Sequence, residues 1–273
     1  MSHLDEIFAN KRSEVARQRQ TVPLAQVRAQ AQEAPASEDF VAALLQAASP
    51  PALIAEVKLA SPSRGLIAAD DDPLELAETY MRNGAAAVSV LTNERYFRGH
   101  LDHLREIASR FPALPLLRKD FIIDPYQLYE SRAAGAAAVL LIAAALPASL
   151  LNKLHRISHE LGMAALVEVH SSEDIQAALS CAPNLIGINN RDLTDFSVDL
   201  QTTRDLLPQI SSEVCIVSES GIRTPGDVAH LAGLGVNAVL IGEALVTAPD
   251  VAAKVRDLAG LRETAGRGAS EGR

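Results

Sequence analysis

Eight short apolar runs separated by helix-like segments predict an α/β protein folded as a closed (β/α)8 TIM barrel. The runs are rich in Val, Ile and Leu. They cover residues 53–57, 87–91, 115–117, 137–142, 164–167, 185–188, 214–217 and 238–241, and start 21 to 34 residues apart. They are continuous rather than alternating, the pattern of strands buried on both faces in a parallel sheet. Eight such units fit a barrel, whose usual length is about 250 residues. An open doubly wound sheet competes, but no Gly-x-Gly-x-x-Gly turn follows the first run, as a dinucleotide fold requires.

The intervals read as helices from their punctuation. Asp72-Pro73, Asp124-Pro125 and Thr224-Pro225 each set a capping side chain before a proline at the first helical position. Gly84, Gly135, Gly162 and Gly235 sit where a helix would end in a left-handed residue. Residues 1–49 precede the first run and predict an N-terminal helical extension. Leu4, Ile7 and Phe8 lie on one apolar edge of it, and Ser37 is the expected cap of a helix over 38–47. The barrel is expected over 50–262, and the Gly-, Ser- and Glu-rich stretch 263–273 as a frayed tail.

Composition excludes several classes of function. An apolar fraction of 48% supplies a sizeable core. With no Trp, 4% aromatics and a net charge of −9, the chain lacks both stacking platforms and a basic footprint, so neither nucleic acid nor an anionic membrane is an expected partner. Residues 133–148 are apolar but too few to span a bilayer, and residues 1–11 alternate charge, unlike a signal peptide. Cys181 and Cys215 lack metal spacing and are expected as two buried thiols of a reducing compartment, so a cytoplasmic location is expected.

In such a barrel, chemistry belongs at the C-terminal ends of the strands. The first run contains Glu56 and leads to Lys58 and Ser61; as i and i+2, the first two point to the same side. They read either as an active-site rim or as a structural ion pair. The second run leads to Thr92, Asn93 and Tyr96-Phe97-Arg98-Gly99, the third to Arg118-Lys119-Asp120-Phe121, and the fifth to Glu168-Val169-His170. Asn189-Asn190-Arg191-Asp192 follow the sixth, Ser218-Glu219-Ser220-Gly221 the seventh, and Gly242-Glu243 the eighth. The fourth run leads only to alanines and contributes shape. Any one charge, such as Arg118 with Asp120, is more simply a surface pair. Structural pairs, however, have no reason to gather at one end of seven strands.

Ser220-Gly221 and Gly242-Glu243 lie where barrels commonly cradle a phosphate through backbone N–H groups, although tight turns alone would also account for the glycines. Lys58, Lys119 and Arg191 then face Glu56, Glu168 and Glu219, a set suited to a substrate with two anionic ends. Glu219 should point away from its neighbours Ser218 and Ser220. Asn189 and Arg191 can together hold a planar carboxylate. His155 and His159 have metal-pair spacing but fall on an outer helix, where a solvated face is expected; no metal, cofactor or nucleophilic triad is indicated. The chemistry implied is acid–base work by Lys and Glu.

These residues resemble the indole-3-glycerol-phosphate synthase family of tryptophan biosynthesis. The matching segments are 54–65 (IAEVKLASPSRG), 91–99 (LTNERYFRG), 117–122 (LRKDFI), 166–170 (LVEVH), 188–193 (INNRDL) and 218–223 (SESGIR). The resemblance implies ring closure of 1-(2-carboxyphenylamino)-1-deoxyribulose 5-phosphate with loss of CO2 and water. It implies Lys119 as general acid and Glu168 as base or cation stabiliser, with Glu56 and Lys58 assisting. Asn189, Arg191 and Ser61 would meet the benzoate carboxylate, and Phe97, Phe121 and Leu193 the aromatic ring. Glu219 and Ser220 would border the substrate, while Gly221, Gly242 and Glu243 would hold the phosphate. The family's N-terminal extension lies over the catalytic end. The expected protein uses no cofactor and acts as a monomer or weak homo-oligomer. A sugar-phosphate isomerase on the same barrel, and a phosphate-binding subunit without turnover, are the rival readings.

Overall fold

The computed structural model describes residues 3–61, 65–66, 71–192 and 197–261. Eight parallel strands close on themselves: β1 (Ala52–Val57), β2 (Ala87–Leu91), β3 (Leu116–Lys119), β4 (Ala138–Ile142), β5 (Ala164–Val169), β6 (Leu185–Asn189), β7 (Cys215–Glu219) and β8 (Ala238–Ile241). Each pairs with its neighbour in the chain, and β8 pairs with β1 through Ala52↔Ala238 and Ile54↔Leu240. A two-residue hairpin, Ala60–Ser61 with Gly65–Leu66, follows β1. Four strands run past their apolar runs: β3 ends on Lys119, β5 on Val169, β6 on Asn189 and β7 on Glu219. Ladder hydrogen bonding, not hydrophobicity, decides where a strand stops, so these polar side chains are held on sheet rather than loop.

Alternation along each strand divides the core in two. Leu53, Ala55 and Val57 of β1 pack outward beneath the helices, whereas Ala52 and Ile54 join Leu117, Leu140, Leu166, Val217 and Leu240 inside the barrel. The helix Pro225–Leu234 shows how punctuation works locally. Thr224 accepts a hydrogen bond from the Asp227 N–H, Asp227 accepts one from the Thr224 N–H, Pro225 occupies the first turn, and Gly235 ends the helix at φ 92°. Gly84, Gly135 and Gly162 also have positive φ, as the sequence predicts.

Three helices precede β1: α1 (His3–Thr21), α2 (Leu24–Glu33) and α3 (Phe40–Leu45). Ile7, Phe8, Lys11 and Val15 form the buried stripe of α1. This helix lies at the C-terminal end of the barrel, with Phe8 edge-on to Phe121 at 5.6 Å and Asn10 bonded to Tyr96. Arg132 of the helix Pro125–Ala133 reaches the carbonyls of Ala34 and Pro35 just beyond α2. From α3, Phe40 and Leu44 plug the opposite, N-terminal end, in contact with the interior cluster. Burying a side chain such as Phe40 stabilises by about 1.5–3 kcal/mol. The cap of α3 is Asp39, which accepts from the Ala42 N–H, and not Ser37; the helix begins later than expected. Cys215 is buried but Cys181 is only partly so, which corrects the expectation of two buried thiols. Among the described residues, no helix is long and apolar enough to cross a membrane.

Candidate active site

Strand parity sorts the polar residues. Glu56 follows Ala52 and Ile54 into the barrel, Lys119 follows Leu117, Glu168 follows Leu166, and Glu219 follows Cys215 and Val217. Their neighbours point outward. Ser218 is fully buried and joins Asn190 and Thr203 in a network away from the interior. The Asn190 amide also donates to the carbonyls of Glu219 and Ser220, at 2.9 and 3.1 Å, bracing the turn after β7.

Four strands therefore deliver one charged cluster. The Lys119 ammonium lies 3.1 Å from Glu168 Oε2 and also donates to Glu219 Oε2, bridging strands β5 and β7. Lys58 pairs with Glu56 at 2.5 Å, and the Ser89 hydroxyl donates to the same carboxylate at 3.4 Å. Burial opposes charge on Lys119, but Glu219, Glu168 and Glu56 outweigh it and hold the ammonium above its ordinary pKa. Burial also opposes charge on Glu168; Lys119 and then His170 overcome it, keeping this carboxyl below the usual range. Glu219 goes the other way. Burial, helped by the charge of Glu168 and only partly offset by Lys119, pushes it up to about 7. Its Oε1 is buried without a hydrogen-bond partner, and a Cβ at Gly187 would meet that oxygen at 2.2 Å. A glycine on β6 thus makes room for the carboxylate.

The cavity above this cluster is lined by Glu56, Lys58, Lys119, Glu168, Asn189, Arg191 and Glu219. Phe97, Phe121, Ser220, Gly221, Gly242 and Glu243 line it as well. The structure thereby brings together thirteen of the fifteen residues singled out from sequence. Leu193 lies outside the described residues, and so does the side chain of Ser61. Ser220 and Gly221 both adopt positive φ, 66° and 80°, which turns the chain sharply at the end of β7. Gly242 follows β8 at the start of the short helix Glu243–Val246, and a Cβ there would meet Glu56 Oε1 at 2.7 Å. That glycine allows a close approach to Glu56 as well as to any ligand. Asn189 Oδ1 accepts from the Arg191 N–H at 3.1 Å, which fixes the bend after β6.

Sequence reasoning missed three contributions. Arg223, exposed and 3.5 Å from Glu243, lines the cavity beside the two glycine turns; its place in SESGIR was the available signal. Ile7 of α1 lines the cavity as well. The third is Asp120, whose pairing with Arg118 is not on the surface: both side chains are buried, as is Lys11, which reaches Asp120 Oδ1 at 2.8 Å. Thr92 and Arg118 occupy Asp120 Oδ2 at 2.9 and 3.2 Å. Burial opposes the Asp120 charge, but Lys11 and Arg118 hold its pKa below normal. Lys11 thus fastens α1 to the residue next to Lys119.

His155 is buried and packs against exposed His159, with ring centroids 4.5 Å apart and planes tilted by 54°, so the pair is not simply a solvated face. Burial, with His159 adding to it, takes His155 down to about 4. Both belong to the outer helix Ala148–Glu160 and do not line the cavity. Among the described residues, no group of three or more His, Cys, Asp or Glu side chains is arranged to hold a metal.

Comparison with known proteins agrees with the geometry. The family model described as indole-3-glycerol phosphate synthase matches residues 4–258. A protein of that name from Roseiflexus castenholzii is 54% identical over 264 residues, covering 94% of this chain and 98% of its own. One from Chloroherpeton thalassium is 48% identical over 255 residues, covering 93% and 98%. Among solved structures, a 3-hexulose-6-phosphate synthase aligns with a TM-score of 0.61 at 15% identity, over 77% of this chain and 99% of its own, a likeness of fold alone.

Proposed function

The chain belongs to the indole-3-glycerol phosphate synthase family, and on that footing we propose how its own residues divide the work of closing the indole ring. The reaction converts 1-(2-carboxyphenylamino)-1-deoxyribulose 5-phosphate to indole-3-glycerol phosphate, CO2 and water. The observation that carries the assignment of roles is the Lys119 ammonium, held between Glu168 and Glu219 at the floor of the cavity.

The phosphate sits against the turns at Ser220-Gly221 and Gly242-Glu243, where backbone N–H groups and the Arg223 guanidinium supply positive potential. Glu243 orients Arg223 through their ion pair. The benzoate carboxylate meets Asn189 and Arg191, and the ring lies against Phe97 and Phe121, whose own rings stand 6.4 Å apart; Leu193 and the Ser61 side chain, expected to join them, lie outside the described residues. Holding both anionic ends stretches the substrate across the charged cluster, which supplies proximity.

The ring carbon attacks the ketone, and Lys119 gives its proton to the developing alkoxide. Carbon–carboxylate cleavage returns its electron pair to the ring system and releases CO2. The new hydroxyl leaves as water after a second proton reaches it, and Glu168 takes the proton whose loss completes the indole. Two protons are delivered and one is recovered, so each turnover takes up one proton, matching the carboxylate charge lost as neutral CO2. A lowered pKa keeps Glu168 ionised and able to accept. Glu219 holds Lys119 in place, while Glu56 and Lys58 form a second acid–base pair at the same floor. No redox step arises, so the reaction calls for no redox cofactor.

We read residues 1–49 as an extension that covers the site, 50–262 as the catalytic barrel and 263–273 as a tail. The acidic balance of −9 supports a monomer or weak homo-oligomer without nucleic-acid or anionic-membrane partners, and two cysteines left as free thiols support a cytoplasmic location. The test is incubation with the carboxyphenylamino-deoxyribulose phosphate, following indole fluorescence and CO2 release. Lys119→Ala should bind the substrate yet form no indole. Glu168→Gln should lower kcat by about 10²–10⁴-fold with little change in KM. Wild-type kcat in Glu168→Gln removes that residue from the mechanism, and binding without turnover by the wild type overturns the enzymatic reading.

A further inference from the structure

His170 is the one residue of the LVEVH segment beyond the strand that no role above absorbs. Its side chain is 13% exposed, and neither ring nitrogen makes a hydrogen bond. Both nevertheless face carboxylates: Nε2 lies 3.4 Å from Glu168 Oε1, and Nδ1 lies 3.8 Å from Asp174 Oδ2. Asp174 is fixed in turn. It belongs to the helix Ser172–Leu179, accepts the His170 backbone N–H at 2.8 Å, and gives its own N–H to the Ser171 hydroxyl that caps this helix. Glu168 Oε2 is engaged by Lys119, so Oε1 is the oxygen that the imidazole addresses.

We propose that His170 is a positioning residue for the reaction, which, through Nε2, orients the Glu168 carboxylate and keeps it ionised, with Asp174 holding the far side of the ring. The inference rests on the reading of Glu168 as the base. The arrangement carboxylate–imidazole–carboxylate gives the base its own support, independent of Lys119, from which it must part when that lysine delivers its proton. Other groups facing Glu168 are Lys119 from β3, Asn189 from β6 and Glu219 from β7; on the outer side of His170 the facing charge is Asp174. Of these, Lys119 and His170 favour the ionised form of Glu168 by their charge, and only His170 does so from outside the cavity lining.

The experiment is the pH dependence of kcat, measured on the full chain with the carboxyphenylamino-deoxyribulose phosphate. An asparagine amide reaches the Nδ1 position only, whereas a glutamine amide reaches Nε2. His170→Asn should move the acidic limb of kcat up by about one pH unit, so that turnover below the limb falls about tenfold, with KM within about twofold of wild type. His170→Gln keeps a neutral donor on Glu168. It should keep the wild-type plateau kcat, as His170→Asn does, while its limb stays above the wild-type position. A limb at the wild-type pH in either variant overturns the proposal, as does a loss of kcat that is uniform across pH. Glu168→Gln separates this from failure of the underlying reading. If that variant keeps the acidic limb, Glu168 is not the base; if it loses the limb while the His170 variants leave it unmoved, only the role of His170 falls.

Discussion

Replacing Gly187 by alanine tests whether the placement of one carboxylate governs the rate. A Cβ built at Gly187 lies 2.2 Å from Glu219 Oε1, 3.3 Å from its Cδ and 3.2 Å from Leu166 Cδ1. The leucine contact is tight but tolerable, whereas the carboxylate must retreat by about 1 Å to reach an ordinary van der Waals distance. It cannot retreat freely, since Oε2 is bonded to Lys119 and the side chain is buried on all sides. Overpacking of this kind costs about 1–3 kcal/mol of stability, and a shift of about 1 Å in a catalytic arrangement costs up to about 10²-fold in rate. Gly187→Ala should therefore remain folded, melt at a lower temperature, and show kcat reduced about 10- to 100-fold with KM nearly unchanged. Indole fluorescence gives the kinetics and a thermal melt gives the stability. Wild-type kcat in a folded Gly187→Ala would mean that the position of Glu219 does not matter to Lys119, and the account of the cluster would be wrong.

The remaining predictions concern the two ends of the site. Lys11→Met leaves Asp120 with Arg118, Thr92 and the Phe121 N–H as partners, so it should cost somewhat less than the roughly 3–5 kcal/mol of a broken buried pair. Because the folded pKa of Asp120 is depressed, its contribution is present above its unfolded pKa and is lost as pH falls through the folded value. The stability gap between wild type and Lys11→Met, measured by urea unfolding, should narrow in acid; a gap independent of pH would deny that the pair is ionic. The same variant should raise KM by loosening α1, which brings Ile7 to the cavity. Arg191→Lys exchanges a planar fork for a point charge. It should raise KM by about tenfold or more with kcat little changed, and an unaltered KM would place the substrate carboxylate elsewhere.

Much of this molecule was legible in its sequence because the relevant signals are local. The eight apolar runs, the proline and glycine punctuation and the polar strand exits all act over a few residues, and they were enough to predict a barrel with one chemical end. Parity is local too: the prediction that Glu219 points away from Ser218 holds, with Ser218 buried against Thr203 and Glu219 facing Lys119. Composition was less reliable where a charge looked ordinary. Arg118 and Asp120 read as a surface pair, yet the outward face of β3 lies beneath a helix, and Glu130, Ser131 and Lys11 complete a buried network there. Ser37 was the expected cap of the helix before β1, yet Asp39 takes that place, because the point where the chain turns into the helix decides which side chain reaches a free N–H.

By itself, then, the chain's order of residues determined the element types, the face each side chain takes on its strand, and which end of the barrel carries charge. Tertiary structure alone decided which charges meet. Lys119 joins Glu168 and Glu219 across separations of 49 and 100 residues, and Lys11 finds Asp120 from a helix outside the barrel. Such meetings depend on the stagger between neighbouring strands and on closure of β8 onto β1, quantities that no local spacing encodes. They also set the protonation of the site, since burial and the sum of neighbouring charges, not residue type, hold Glu168 low and Glu219 high.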